Sequence, residues 1–365
     1  MTTKRAILAF GLGLFLPTAC AAPGPETRSE TFPPRVRRWE FARRIMGVDF
    51  RIVLCTREES LAREAAERAF LEVCRVDQAC SDWRRDSEIM VLQERYRPGV
   101  PIGISPLLGE VLDLAVGVAR DTEGAFDPTL GPLTLLWRRC LRTRRLPKPA
   151  ALERALKSSG FRNLELDSAL RRATLKRAGM RIDLGGIAKG YAVDRALSVL
   201  RRRGFSRALV DGSGDLAVGD PPPGRVAWRI DLDASISPPA SSRTLLLRNA
   251  AVATSGDRYQ RVTLEGRTFA HILDPRTGLG LERAFTATVI APSCTLADAW
   301  ATALSVLGPD GLRRIEGRPG FAGILREGRG KALRVRETRN FCLFLRPPRR
   351  PRGAHPAVSP RADPL

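Results

Sequence analysis

Arg181-Ile182-Asp183-Leu184-Gly185-Gly186-Ile187-Ala188-Lys189-Gly190-Tyr191-Ala192-Val193-Asp194 is the stretch whose reading decides the fold class. Residues 181–184 read as a strand, and the paired glycines that follow open a helix near Ile187. A strand feeding a helix would announce a parallel βαβ fold if it recurred, but around it the pattern is different. Upstream, residues 163–167 and 173–177 form a hairpin pattern, preceded by a strand at 51–55 and helices at 58–82 and 106–120. In the first of these helices Leu61, Ala65, Phe70 and Val73 fall near helical spacing. Downstream, short strands dominate, at 208–211, 226–231, 243–247, 261–265, 268–273 and 285–290. A helix at 295–307 and strands at 321–326, 332–336 and 341–345 complete the pattern. Strand clusters broken by a few long helices predict an α+β fold with largely antiparallel sheets.

The chain has 365 residues, 43% hydrophobic and 27% charged, a globular balance with room for one large domain or two ordinary ones. Its net charge of +22 invites a nucleic-acid reading. Only 6 of the 61 basic residues are lysines, and the arginines are spread along the whole chain. The densest cluster, Arg138, Arg139, Arg142, Arg144, Arg145 and Lys148, adjoins Trp137 but has no interleaved aromatics on which bases would stack. It reads as a solvated helix end and loop, and no nucleic-acid partner is expected.

Lys4 and Arg5 precede an apolar run over residues 6–16 that ends in small residues around Cys20, the layout of a secretory signal too short to span a bilayer. Thr18-Ala19-Cys20 resembles a lipoprotein cleavage site, although Pro17 stands where Leu is expected. Lipidation of Cys20 and plain cleavage near Ala21 or Ala22 are both open. The expected organisation is a signal peptide at 1–21, a Pro-rich linker at 22–34, one catalytic domain at 35–345 and a mobile Pro- and Arg-rich tail at 346–365. The seven cysteines, at 20, 55, 74, 80, 140, 294 and 342, include no C-x-x-C pair and no zinc-ligand spacing, and their pairing is open.

Three segments carry chemistry. In the opening stretch, glycines permit close backbone approach and free N–H groups at a helix start suit phosphate, with Lys189 one turn in to neutralise a diphosphate. An ordinary tight turn followed by an exposed helix cation is the plainer alternative. In Leu296-Ala297-Asp298-Ala299-Trp300-Ala301-Thr302-Ala303-Leu304, Asp298 and Thr302 lie four apart on an otherwise apolar, small-residue helix. That spacing puts a carboxylate and a hydroxyl on one face, suited to magnesium, whereas the alternative is an Asp hydrogen-bonded inside the core. In His271-Ile272-Leu273-Asp274-Pro275-Arg276-Thr277-Gly278, a strand meets a turn. With His355 in the tail, His271 is the histidine available for proton transfer, the alternative being a structural histidine at a strand end.

In this order the three segments resemble the ApbE family, the FAD:protein FMN transferases. The resemblance extends to Met46-Gly47, Trp83 with Asp86-Ser87-Glu88, Ala125-Phe126-Asp127-Pro128-Thr129-Leu130-Gly131-Pro132-Leu133, Asp211-Gly212-Ser213-Gly214-Asp215 and Thr254-Ser255-Gly256-Asp257, and spans about residues 40–345. It implies a T-fold-like catalytic domain. It further implies that Met46, Trp83, Ala125, Phe126, Asp127, Asp183, Lys189 and Ile272 surround FAD, and that the Gly186 carbonyl, the Asp298 carboxylate and the Thr302 hydroxyl hold Mg2+. The reaction it implies is magnesium-dependent transfer of the FMN half of FAD to a Thr or Ser hydroxyl of an acceptor flavoprotein subunit, with AMP leaving. Lys189 and Asp298 assist, and His271 is the candidate base. The setting expected is the periplasm, with membrane attachment only through a lipid anchor if Cys20 is modified.

Four positions depart from the family's pattern: Val48 for Thr, Ser213 for the first glycine of a Gly-Gly-Asp turn, Gln93 for Asn, and Arg258 between Asp257 and Tyr259. None is a proposed metal ligand. An FAD-storing lipoprotein and an FAD pyrophosphatase giving FMN and AMP are the competing readings, the second differing only in whether water reaches the phosphorus.

Overall fold

The computed structural model describes residues 36–232, 243–256, 261–328 and 332–345. The expected signal peptide, Cys20, linker and tail lie outside the described residues, as do Asp257, Arg258 and Tyr259. Eight strands, Arg37–Ile45, Val48–Thr56, Ala208–Gly212, Leu216–Val218, Ala250–Gly256, Phe285–Ala291, Ala322–Glu327 and Arg334–Glu337, form the central sheet. They lie side by side in chain order, and every neighbouring pair is antiparallel. The α+β architecture read from the sequence is the observed one.

Among the described residues eight helices accompany it: α1 (Glu59–Cys80), α2 (Glu88–Arg95), α3 (Pro106–Asp121), α4 (Gly131–Thr143), α5 (Pro149–Lys157), α6 (Ala188–Arg202), α7 (Cys294–Leu307) and α8 (Pro309–Ile315). Side-chain alternation divides the sheet's two faces. Ile52, Leu54, Val210, Ala253, Ala287 and Val289 join the core beneath α1, α6 and α7. Val53, Leu209, Val252 and Ile290 point the other way, under the antiparallel pair Trp228–Asp231/Thr244–Leu247 and the 3-10 turn Arg339–Phe344. Because both faces are covered, all seven residues of Phe285–Ala291 are buried. α7 lies between sheet and helices, buried almost all round. That explains its run of alanines, since small side chains allow close approach on every side.

Two expected strands are absent. Residues 181–184 make only an isolated parallel bridge between Arg181 and Leu130, and join no sheet. The segment is held instead by loop bonds, with Asp183 N donating to Pro128 O at 2.7 Å and Gly131 N to Arg181 O at 3.2 Å. Residues 341–345 fall mostly in the 3-10 turn that buries Phe341, since a short apolar run carries no period that separates strand from helix.

Candidate active site

The site is built on the crossing of α6 and α7. Gly190 makes the crossing possible: a Cβ there would lie 2.3 Å from the Cys294 carbonyl oxygen and 2.9 Å from Asp298 Cβ. The missing side chain lets the Gly190 N–H donate to Asp298 Oδ2 at 3.1 Å. One turn along α6, the Asp194 carboxylate accepts from the N–H groups of Cys294 and Thr295, both at 2.8 Å, and from the Thr295 hydroxyl at 2.5 Å. A carboxylate at a helix start satisfies otherwise orphaned donors and complements the helix dipole. The start of α7 is thereby pinned to α6, and Asp298 and Thr302, one turn apart, both reach the same cavity.

Gly186 faces Thr302. A Cβ on Gly186 would sit 3.1 Å from Thr302 Oγ1 and 3.3 Å from Phe126 Cε2, so glycine is what leaves room there. Ser255, from the strand Ala250–Gly256, brings its hydroxyl to 3.4 Å from that of Thr302. Asp298 is 5% exposed, and among the described residues its carboxylate accepts a hydrogen bond from Gly190 alone. Burial, and after it the neighbouring Asp215 charge, pushes its pKa above the ordinary carboxylate value, against the opposing pull of Lys189.

Lys189 pairs with the buried Asp215 carboxylate. Burial works against its charge, but Asp215 and Asp298 hold its pKa above the ordinary lysine value. Asp215 arrives on the turn after Ala208–Gly212, where Asp211 accepts from Gly214 N at 2.8 Å and Gly212 N donates to Asp215 O at 2.8 Å. Ser213, the departure from the family's glycine, sits at φ 64°. This left-handed conformation costs a non-glycine residue about 1–2 kcal/mol.

A cavity of about 540 Å³ opens over these groups. Of the residues expected around it, Trp83, Ala125, Phe126, Asp127, Asp183, Gly186, Lys189, His271, Ile272, Asp298 and Thr302 all line it. Met46 does not: it occupies the two-residue turn between the first two strands, at φ 54°, and packs against the core. Asp127 is a structural knot as well as a wall residue. It accepts from Thr129 N at 2.7 Å, the Thr129 hydroxyl at 2.6 Å and Phe161 N at 2.9 Å, although burial still raises its pKa. Asp183 accepts from the Thr134 hydroxyl at 2.6 Å and Gly185 N at 2.8 Å.

Two expectations about local geometry change. The strand expected at 268–273 ends at Ala270, so His271 and Ile272 lie beyond it; both line the cavity, in a loop that a turn at Asp274–Gly278 closes. The donors at the start of α6 are largely taken. Ile187 and Ala188 N–H both bond the Leu184 carbonyl, at 3.1 and 2.9 Å, and Gly190 N–H bonds Asp298.

Sequence reading gave no role to Asp215 or Ser255, although both stand in quoted motifs. The helix end at 138–148 reads in the sequence as merely solvated, whereas α4 contributes Thr134, Trp137, Arg138 and Leu141 to the cavity wall. The signal for α4 was present, with Pro132 in its first turn and Leu133, Trp137 and Cys140 buried on one face.

The donor set fits a hard cation: one carboxylate, two neighbouring hydroxyls and the Gly186 backbone, in a cradle a Cβ would fill. Among the described residues no group of three or more His, Cys, Asp or Glu gathers to hold a metal. Few charged ligands is the pattern of magnesium sites that rely on substrate phosphates for the remaining oxygens.

The sequence profile of the ApbE family matches residues 46–325. An FAD:protein FMN transferase of Chlamydia pneumoniae is 33% identical over 267 residues, covering 71% of this chain and 82% of that one. The solved flavinyl transferase ApbE of Pseudomonas stutzeri superposes with a TM-score of 0.75 at 28% identity, over 86% of this chain and 98% of the other. The ApbE protein of Thermotoga maritima gives 0.74 at 29%, over 85% and 100%. The matched span contains both helices of the crossing and every residue lining the cavity, so fold, site and sequence agree that the chain belongs to the ApbE family.

Proposed function

We propose that this chain is an FAD:protein FMN transferase that moves the FMN half of FAD onto a Thr or Ser hydroxyl of an acceptor flavoprotein. The observation that carries the reading is the convergence, in one cavity, of a fixed cation, a buried carboxylate beside two hydroxyls, and aromatic walls. The acceptor oxygen attacks the phosphorus on the FMN side of the pyrophosphate, that phosphorus parts from the bridging oxygen, and AMP leaves with it. Magnesium would be held by the Gly186 carbonyl, the Asp298 carboxylate and the Thr302 hydroxyl, where it would offset charge developing on the phosphate oxygens.

The remaining work falls to the chain's own groups. Lys189, held by Asp215, presents a positive charge that needs no rearrangement when the phosphates arrive. Phe126 and Trp137 give the flavin or adenine ring apolar surface, and Asp183 lines the same wall. His271, exposed at the cavity edge, takes the hydroxyl proton. The charged-then-apolar run at residues 4–16 supports action outside the cytoplasm, in the periplasm, with Cys20 as a lipid anchor if it is modified.

The test is to incubate the purified chain with FAD, magnesium and a flavoprotein subunit carrying a Thr or Ser flavinylation motif, then weigh the subunit. A gain of one FMN less one water, matched by AMP and lost in Asp298→Ala, is the expected result. Free FMN with an unmodified subunit would make the chain a pyrophosphatase. Bound FAD that never turns over would make it a flavin-storage protein.

A further inference from the structure

We propose that Arg138 is a positioning residue for the flavin dinucleotide, setting the plane of Trp83 at the cavity mouth so that the free face of the indole receives a flat heterocyclic ring. The inference rests on the transferase reading above. Trp83 lies just beyond the C-terminus of α1, is 76% exposed, and lines the cavity. An indole that exposed would ordinarily turn freely about two side-chain bonds and lose that freedom when a ligand stacks on it.

Here it is held. The Arg138 guanidinium carbon lies 3.9 Å from the ring centroid, and Arg138 donates to Asp82 Oδ2 at 2.6 Å. Asp82 is the residue before Trp83 in the chain, and Arg138 stands on α4. One side chain therefore ties the loop to the helix through the backbone neighbour of Trp83 and stacks on its ring. With one face covered by a cation, the other is the face left for an incoming ring. A guanidinium suits this task because it is planar and can stack and pair at once. Lysine, a point charge on a flexible stem, cannot reproduce the stack.

The experiment measures equilibrium FAD affinity by flavin fluorescence, and KM and kcat for transfer, in the full chain and in Arg138→Ala, Arg138→Lys, Trp83→Leu and the Arg138→Ala/Trp83→Leu double variant. Arg138→Ala is expected to raise Kd and KM for FAD about two- to twelve-fold, the cost of immobilising one freely turning side chain on binding. The change in kcat should be much smaller. Arg138→Lys should recover little of the loss, and in the Trp83→Leu background removal of Arg138 should add almost nothing. Equal losses in both backgrounds would mean that Arg138 acts without Trp83, and an unchanged Kd would mean that it only braces the loop; either overturns the proposal. Asp82→Asn loosens the same clamp from its other end and carries the test should Arg138→Ala fail to fold. Wild-type protein that binds and transfers normally beside an inert Arg138 sinks this inference alone, whereas wild-type protein that does not bind FAD sinks the transferase reading with it.

Discussion

Gly190→Ala tests whether the α6–α7 crossing holds the site together. Alanine is the better helix former by about 1 kcal/mol, so local propensity predicts a more stable protein. Tertiary contact predicts the reverse. The new methyl would stand 2.3 Å from the Cys294 carbonyl oxygen, about 1 Å short of ordinary contact, and the obstacle is backbone, which cannot rotate aside. Overpacking costs typically about 1–3 kcal/mol, and a rigid neighbour places this case at the upper end, leaving a net loss of about 2 kcal/mol. The helices would part where Asp298 sits, and a misplacement of about 1 Å in a catalytic group can cost about 100-fold in rate. Gly117→Ala is the matched control. It lies inside α3, and its added Cβ would meet nothing within 4 Å, so it should stabilise by about 0.5–1 kcal/mol. Urea midpoints and FMN transfer rates of the two variants decide the matter. A Gly190→Ala protein as stable and as active as wild type would refute the argument.

Two further predictions rest on named groups. His271→Ala should lower transfer at saturating FAD by about 10²–10⁴-fold, read as the rate of acceptor mass gain; an unchanged rate removes the base role. Glu72 is buried, which alone would raise its pKa, but hydrogen bonds from Arg195, at 2.6 and 3.0 Å, and from Arg75, at 2.9 Å, bring it below the usual glutamate value of 4.5. A carboxyl so depressed contributes stability above pH 4.5 that is lost as pH falls through its lower folded value. Glu72→Gln should therefore lose most stability near pH 7 and converge on wild type in acid, whereas a pH-independent difference in urea midpoint would refute the linkage.

The site was legible to very different degrees. Asp298 and Thr302 could be paired from spacing alone, because a helix fixes which residues share a face. Lys189 could be placed on its helix, but not against Asp215: the two stand 26 residues apart and meet only because a hairpin turn returns beneath α6. Met46 was assigned to the FAD pocket through resemblance, and the turn it occupies leaves it against the core. Arg138 read as part of a solvated cluster, yet it is the member of that cluster stacked on Trp83 and tied to Asp82.

The sequence by itself determined the fold class, most of the elements and the types of residue available for chemistry, since periodicity, turn residues and functional groups are properties of short stretches. Only the tertiary structure decided that residues 181–184 pair with no sheet strand, that Val48–Thr56 takes a partner about 160 residues away, and that α6 and α7 cross at Gly190. Those outcomes depend on which surfaces can be buried together and on where a missing side chain allows two backbones to meet, and neither is fixed until the whole chain is packed.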